Sequence, residues 1–203
     1  MTPIITIARQ YGSNGHEVGT KLAEKLGIKY FDKELIALAA KESGLSEEIF
    51  RQADEKAGNS LLYSMVMGTY SFGGRFTGAS EMPINDKLFL LQTDIIKKAA
   101  AEGPCVIIGR CGDYILRDFP NVFKVFLHAP KEARMDFVVK AGETDEKHAF
   151  DFINKKDKQR ANYYNFYSNK RWDDLNNYNL TIDLSLFTVD EAVEIILKAI
   201  EKF

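Results

Sequence analysis

The chain has 203 residues, 45% of them hydrophobic and 28% charged, with a formal net charge of -2. That apolar share excludes wholesale disorder, and the length suits one globular domain spanning 1–203. Twenty-seven basic residues against 29 acidic ones leave no global basic field, which argues against non-specific nucleic-acid binding as the main activity.

Short apolar runs alternate with longer helical patterns. Residues 4–7 (Ile-Ile-Thr-Ile) read as a buried strand, followed by a loop over 12–15. Val18, Leu22, Ala23 and Leu26 fall at helical spacing, which predicts a helix over 17–26 with Gly27 as its stop. A short strand is expected over 28–31. Asp32 is placed to cap a further helix carrying Leu35, Ile36, Leu38 and Ala39, and another short helix starts at Ser46. Four glycines interrupt 58–83, which reads as a mobile excursion from the core. A helix is expected over 85–101, stopped by Gly103-Pro104. Residues 105–108 (Cys-Val-Ile-Ile) are apolar throughout, as suits a strand covered on both faces. A strand over 122–127, a helix from Pro130, a long polar helix over 145–169, a strand over 179–184 and an amphipathic helix over 189–202 complete the series.

Strands separated by helices imply parallel crossovers, hence an α/β fold: a three-layer α/β/α sandwich on a parallel five-stranded sheet. Ligands of such sheets bind beyond the carboxyl ends of the strands, so the loops after Ile7, Ile108 and Leu127 are where chemistry is expected. Two cysteines, Cys105 and Cys111, cannot build a disulfide framework and suit a reducing compartment. The apolar runs fall well short of the ~20 residues of a membrane helix, and residues 1–8 lack the pattern of a signal peptide. A cytoplasmic protein without a membrane partner is expected.

The most informative stretch is Ile5-Thr-Ile-Ala-Arg9-Gln-Tyr-Gly12-Ser-Asn-Gly15-His-Glu-Val-Gly19, a strand, a glycine loop and a helix start. That order presents backbone N–H groups and the positive end of a helix dipole to an anion. Gly12, Ser13, Asn14, Gly15, His16 and Glu17 are therefore the candidate phosphate cradle. The competing reading is a plain strand-to-helix turn.

Residues 5–27 with Tyr30-Phe31-Asp32 resemble the opening of cytidylate kinases and of the cytidylate kinase-like proteins related to them. Gly103-Pro-Cys-Val-Ile-Ile-Gly-Arg110, Asp113-Tyr-Ile-Leu116, Asp157-Lys-x-Arg160, Trp172 and Tyr178 resemble the kinase-like branch. The resemblance implies a fold of the P-loop nucleotide-kinase type. It also implies an ATP-dependent phosphotransferase acting on a CMP- or dCMP-like nucleotide or another small acceptor, with Mg²⁺ brought by the nucleotide. The alternative is a nucleotide- or anion-binding protein of the same fold without transfer activity. Against the Walker pattern G-x-x-x-x-G-K-[ST], Arg9 stands for the first glycine, Asn14 for the last, Gly15 for the lysine and His16 for the hydroxyl residue. Both the lysine charge and the usual Mg²⁺ hydroxyl are missing, and Arg9 is the candidate substitute, with a structural salt bridge as its other reading.

The resemblance places Arg110 at the acceptor phosphate and, with Arg9 and Arg160, among the charges that neutralise the transferred group; an arginine bridging sheet and helix is its other reading, and Cys111 stands where the kinases carry an acid, with Asp113 two positions on. It places Asp32 and, more weakly, Lys33 near the acceptor; an N-cap is the other reading of Asp32. It makes 145–172 a lid-like helical region with Arg160 as the matching lid arginine, while the neighbouring lysines also read as a solvated face. Arg134 matches a family arginine without an assigned role. Cys111 reads as a packed thiol rather than a nucleophile. Tyr163, Tyr164, Phe166 and Tyr167 form an aromatic cluster that suits a packed face or the subunit contact of a homo-oligomer. His16, His128 and His148 lack metal-ligand spacing, so no protein-held metal is expected.

Overall fold

Alternation along each strand decides how the layers form. In the computed structural model, which describes residues 2–32 and 84–203, strand β1 runs Ile4–Arg9 and β3 runs Cys105–Ile108. Ile5 and Ile7 of β1, with Val106 and Ile108 of β3, face one side; Ile4, Ala8, Cys105 and Ile107 face the other. Both faces are apolar, so the sheet must be covered twice. Strands β2 (Lys29–Phe31), β4 (Val122–His128) and β5 (Leu180–Asp183) complete a parallel sheet of order β2-β3-β1-β4-β5. Ile5 lies opposite Val106 on one side and Phe123 on the other, so β1 is central. Ile5, Ile7, Ile107, Ile108 and Leu127 are almost wholly removed from water, each contributing about 1.5–3 kcal/mol relative to exposure.

The first face is covered by α1 (Gly15–Leu26) through Val18, Leu22 and Ala23, and by α6 (Val189–Ile200) through Ala192, Val193 and Ile196. The second is covered by α2 (Ile84–Glu102), the single turn α3 (Gly112–Ile115) and α5 (Ala149–Ser168), through Leu88, Ile95, Ile96, Ile115 and Tyr164. Helix α4 (Lys131–Lys140) packs on α5 through Val138 and Ile153. The expected α/β sandwich on five parallel strands is thus the observed architecture.

Local chemistry sets the boundaries. Gly27 takes the left-handed conformation at φ 64°, and Ile28 N–H reaches back to the Ala23 carbonyl at 3.0 Å, ending α1 where the glycine predicted. Thr188 and Glu191 cap α6 reciprocally. Two expectations shift. Helix α1 begins at Gly15, because Asn14 supplies the left-handed N-cap. Helix α5 begins at Ala149 and not 145, because the Asp145 carboxylate takes the His148 amide at 2.9 Å and holds a turn. The helices expected after Asp32 and from Ser46, and the 58–83 excursion, lie outside the described residues.

Candidate functional site

Strands β1 and β3 are neighbours, but their following segments leave to opposite faces. Helix α1 packs with Ile5 and Ile7, while α3 packs with Ile107. A crevice opens at the carboxyl ends of such a pair, and Arg9 and Gly109-Arg110 stand at it. Their closeness is direct: a Cβ on Gly109 would land on the Arg9 guanidinium. The Arg9 Nη2 lies 3.4 Å from Asp32 Oδ1, and His16 Nε2 lies 3.5 Å from Asp32 Oδ2. Arg9 at the end of β1, Asp32 just after β2, Gly109 just after β3 and His16 on α1 thereby converge, and Asp32 among them is buried.

The glycine loop is folded by backbone geometry. Gly12 sits at φ 75° and Asn14 at φ 62°, both in the region where a Cβ is costly. Ser13 is buried and its hydroxyl donates to the Gln10 carbonyl at 2.9 Å, so it braces the turn. Gln10 in turn bonds β4, its N–H to Leu127 O at 2.9 Å and its Oε1 to the Ala129 amide at 3.2 Å. The start of α1 carries no side-chain cap. Among the described residues, no acceptor takes the amides of Asn14, Gly15, His16 or Glu17. Unpaired first-turn amides at the positive end of a helix dipole are what an oxyanion needs. Glu17 is exposed beside them, holding Asn14 Nδ2 at 2.8 Å with Lys21 3.7 Å away.

Arg160 reaches this loop from α5. Its Nη1 donates to the Arg9 carbonyl at 2.9 Å, and its guanidinium lies 4.8 Å from the centre of the Tyr11 ring. Desolvation, then the neighbouring Arg9 charge, pushes the Arg160 pKa down from 12.5 to about 9, which leaves it protonated at neutral pH. The two arginines are thus joined through the Arg9 backbone, the stem of the Arg9 side chain lies against Gly15, and Asp32 is the charge opposing Arg9. Burial, then the Glu143 carboxylate, raises the Tyr11 pKa to about 12, so Tyr11 stays neutral.

After β3 the backbone is unusual. Gly109, Arg110 and Cys111 have φ of 73°, 56° and 55° in succession, and two of them are not glycine. Left-handed residues of that kind concentrate at functional sites. Cys111 is buried and burial holds its thiol well above the ordinary value, so it is a packed thiol at neutral pH. The turn then rotates Asp113 inward. Its carboxylate accepts from the Tyr164 hydroxyl at 2.6 Å under the loop, and it is 8% exposed. Asp113 is thus not brought together with Arg9, Asp32 and Arg160. Lys33 lies outside the described residues. Lys158 is exposed and Arg160 is partly buried, so that stretch of α5 is a solvated face on one side only.

The aromatic residues of α5 pack against other elements. Tyr167 stacks on Phe89 with ring centres 3.9 Å apart, and Tyr163 Oη donates to Gln92 at 3.1 Å. Among the described residues no group of three or more His, Cys, Asp or Glu side chains is placed to hold a metal ion, and no helix is long and apolar enough to cross a membrane.

A model of the cytidylate kinase-like family matches residues 4–186. The chain belongs to this family. The solved structures similar to it include an uncharacterized protein from Eubacterium ventriosum ATCC 27560, 29% identical, with a TM-score of 0.72 and 100% of both chains covered. Shikimate kinase from Bacteroides thetaiotaomicron matches with a TM-score of 0.56 at 12% identity over 99% of each chain. A gluconokinase from Sinorhizobium meliloti 1021 matches with a TM-score of 0.52 at 13% identity, over 98% of this chain and 92% of the other. At those two identities the likeness is one of fold, and it is the P-loop kinase fold with the sheet order found here. No curated protein sequence matches the chain.

Three residues that hold this family member's loop carry little sequence signal. Tyr11, Arg134 and Asp157 come together only through α4 and α5. Two of them have a trace, since Arg134 matches a family arginine and Asp157 opens the Asp157-Lys-x-Arg160 motif.

Asp113 gives a pH-dependent test of the site's underside. Burial raises its carboxyl above the usual 3.8, partly offset by the Tyr164 hydroxyl and by Lys124 and Lys170. A carboxyl raised in the folded state stabilises most when protonated, below the unfolded value, and that contribution is lost as pH rises through the folded value. Asp113→Asn keeps an acceptor for Tyr164 and removes the ionisation. Thermal melts from about pH 4 to about pH 7 are expected to show the variant gaining on the wild type as pH rises. Parallel curves would contradict this account of the buried carboxyl.

Proposed function

We propose that the chain is an ATP-dependent phosphotransferase of the nucleotide-kinase type. The reading rests above all on one observation: the amides of Asn14, Gly15, His16 and Glu17 are unpaired among the described residues, with the Arg9 side chain packed on Gly15 and Arg160 bonded to the Arg9 carbonyl. Gly12 and Ser13 shape the cradle, and the amides of residues 14–17 hold the donor phosphates. Arg9 and Arg160 supply the fixed positive charge that the missing Walker lysine would give. Arg110, on its left-handed turn, grips the acceptor phosphate, and a guanidinium fork suits that task. Asp32 orients Arg9 and His16 on the acceptor side; Asp113 serves indirectly, by fixing the base of the Arg110 turn. Mg²⁺ arrives with ATP and is held chiefly by the phosphates.

In this reading the γ-phosphorus–oxygen bond to ADP breaks as a bond forms to an acceptor oxygen in line with it. The protein's part is positioning and charge neutralisation, with no covalent enzyme intermediate. The acceptor is a nucleoside monophosphate of the CMP or dCMP kind, or another small phosphate acceptor. A transfer assay with Mg·ATP over CMP, dCMP, UMP and AMP tests it, and turnover on at least one is expected. One feature favours a second reading: Gly15 stands where phosphoryl transfer ordinarily has a lysine, while amide binding needs no such charge. Tight ATP binding with no turnover on any acceptor would make the protein a nucleotide-binding member of the fold.

A further inference from the structure

Every polar atom of Tyr11 is held from outside its own loop. Its N–H donates to Asp157 Oδ1 at 2.7 Å, and its carbonyl accepts from Arg134 Nη1 at 3.1 Å. Its hydroxyl donates to Glu143, and its ring meets the Arg160 guanidinium on one side and the edge of Phe152 at 5.6 Å. Asp157 is the centre of this arrangement. Its second oxygen, Oδ2, takes Arg134 Nη1 at 2.5 Å. Arg134 is 3% exposed and also spends Nε on the Ala129 carbonyl at 3.0 Å. A guanidinium so buried requires a hydrogen-bonded anion, and Asp157 provides it. Both carboxylate oxygens are therefore engaged within the protein, Oδ1 on the loop and Oδ2 on Arg134 of α4.

We propose that Asp157 is a positioning residue of the phosphate site. It acts through Tyr11 and touches no ligand. An amide cradle binds an oxyanion well only if its shape exists beforehand, because ordering a residue's backbone costs about 1–2 kcal/mol each. In this chain the loop has no lysine to reach back and brace it. The brace comes from α4 and α5, with Asp157 tying Tyr11 to Arg134 one residue ahead of Gly12. The proposal deepens the phosphate-binding reading and rests on it.

The test uses the full chain and inorganic tripolyphosphate as the calorimetric probe. Asp157→Ala is expected to weaken its binding by about ten-fold or more, the scale of losing one charge-assisted hydrogen bond. Asp157→Asn, which keeps an acceptor for the Tyr11 amide, is expected to lose less. Ile153→Val, on the same buried face of α5, is expected to lower the melting temperature and leave affinity unchanged. Amide hydrogen exchange at Tyr11 gives a readout without ligand: it is expected to speed up in both Asp157 variants and not in Ile153→Val. Should Asp157→Ala fail to fold, Asp157→Asn carries the same readouts. Wild-type affinity in the foldable Asp157 variants, unchanged exchange at Tyr11, or an equal affinity loss in Ile153→Val would overturn the assignment. If the wild type itself binds no tripolyphosphate, the phosphate reading fails and the positioning role falls with it, while faster Tyr11 exchange would still establish the clamp.

Discussion

Arg160→Ala is expected to lower kcat/KM for phosphoryl transfer by about 10²–10³-fold, the scale found when one preorganised donor to developing charge is removed. The expectation follows from placement. Arg160 reaches the loop from a separate helix, bonds the Arg9 carbonyl and packs on Tyr11, so its charge is fixed before any ligand arrives. A fixed charge costs no reorganisation at the moment of transfer. Arg160→Lys keeps a cation but loses the planar fork that can bond Arg9 O and a phosphate oxygen together. Most of the loss should therefore persist in the lysine variant. Steady-state kinetics on the best acceptor, with thermal melts alongside, checks this. Activity within about three-fold of wild type in Arg160→Ala would remove Arg160 from the transfer machinery.

Gly12→Ala is expected to be the most damaging single-methyl change in the site. The backbone there has φ 75°, and a Cβ would stand 2.8 Å from the Arg134 carbonyl oxygen and 3.1 Å from Val138 Cγ1. The left-handed conformation costs a non-glycine residue about 1–2 kcal/mol, and overpacking adds about 1–3 kcal/mol. Backbone cannot swing aside as a side-chain tip can, so either the loop or α4 must shift. Urea denaturation should show a loss of about 2–4 kcal/mol. Phosphate affinity should fall too, since Arg134 holds both Tyr11 and Asp157. A stability loss under about 1 kcal/mol would mean that the loop is more pliant than its contacts imply.

The fold was legible in the sequence wherever one local rule decided the outcome. Residues 105–108 are apolar on both alternating faces, and Gly27 has no competing role beyond ending α1. The loops that follow β1 and β3 were legible as neighbours at one sheet edge, because parallel strands end on the same side. The Asp157-Lys-x-Arg160 motif pointed to Arg160. What the sequence did not carry was decided by tertiary contact. Three successive left-handed residues at 109–111 have no compositional mark beyond Gly109, and they turn Asp113 into the core against Tyr164, away from the Arg9–Asp32 pair. Tyr11 looks like any loop tyrosine until α4 and α5 close on it. Its partners lie 123, 132 and 146 positions away along the chain, beyond the reach of any periodicity.

In the proposed function, backbone amides at the start of α1 hold an oxyanion without a lysine. This is tested most directly by titrating Mg·ATP into isotope-labelled protein while following backbone amide resonances. Saturable shifts are expected at Gly12, Ser13, Asn14, Gly15, His16 and Glu17, with the Arg9 and Arg160 side-chain resonances moving at the same midpoint. Saturable shifts confined to other parts of the molecule, or none at excess nucleotide, would contradict the proposed function.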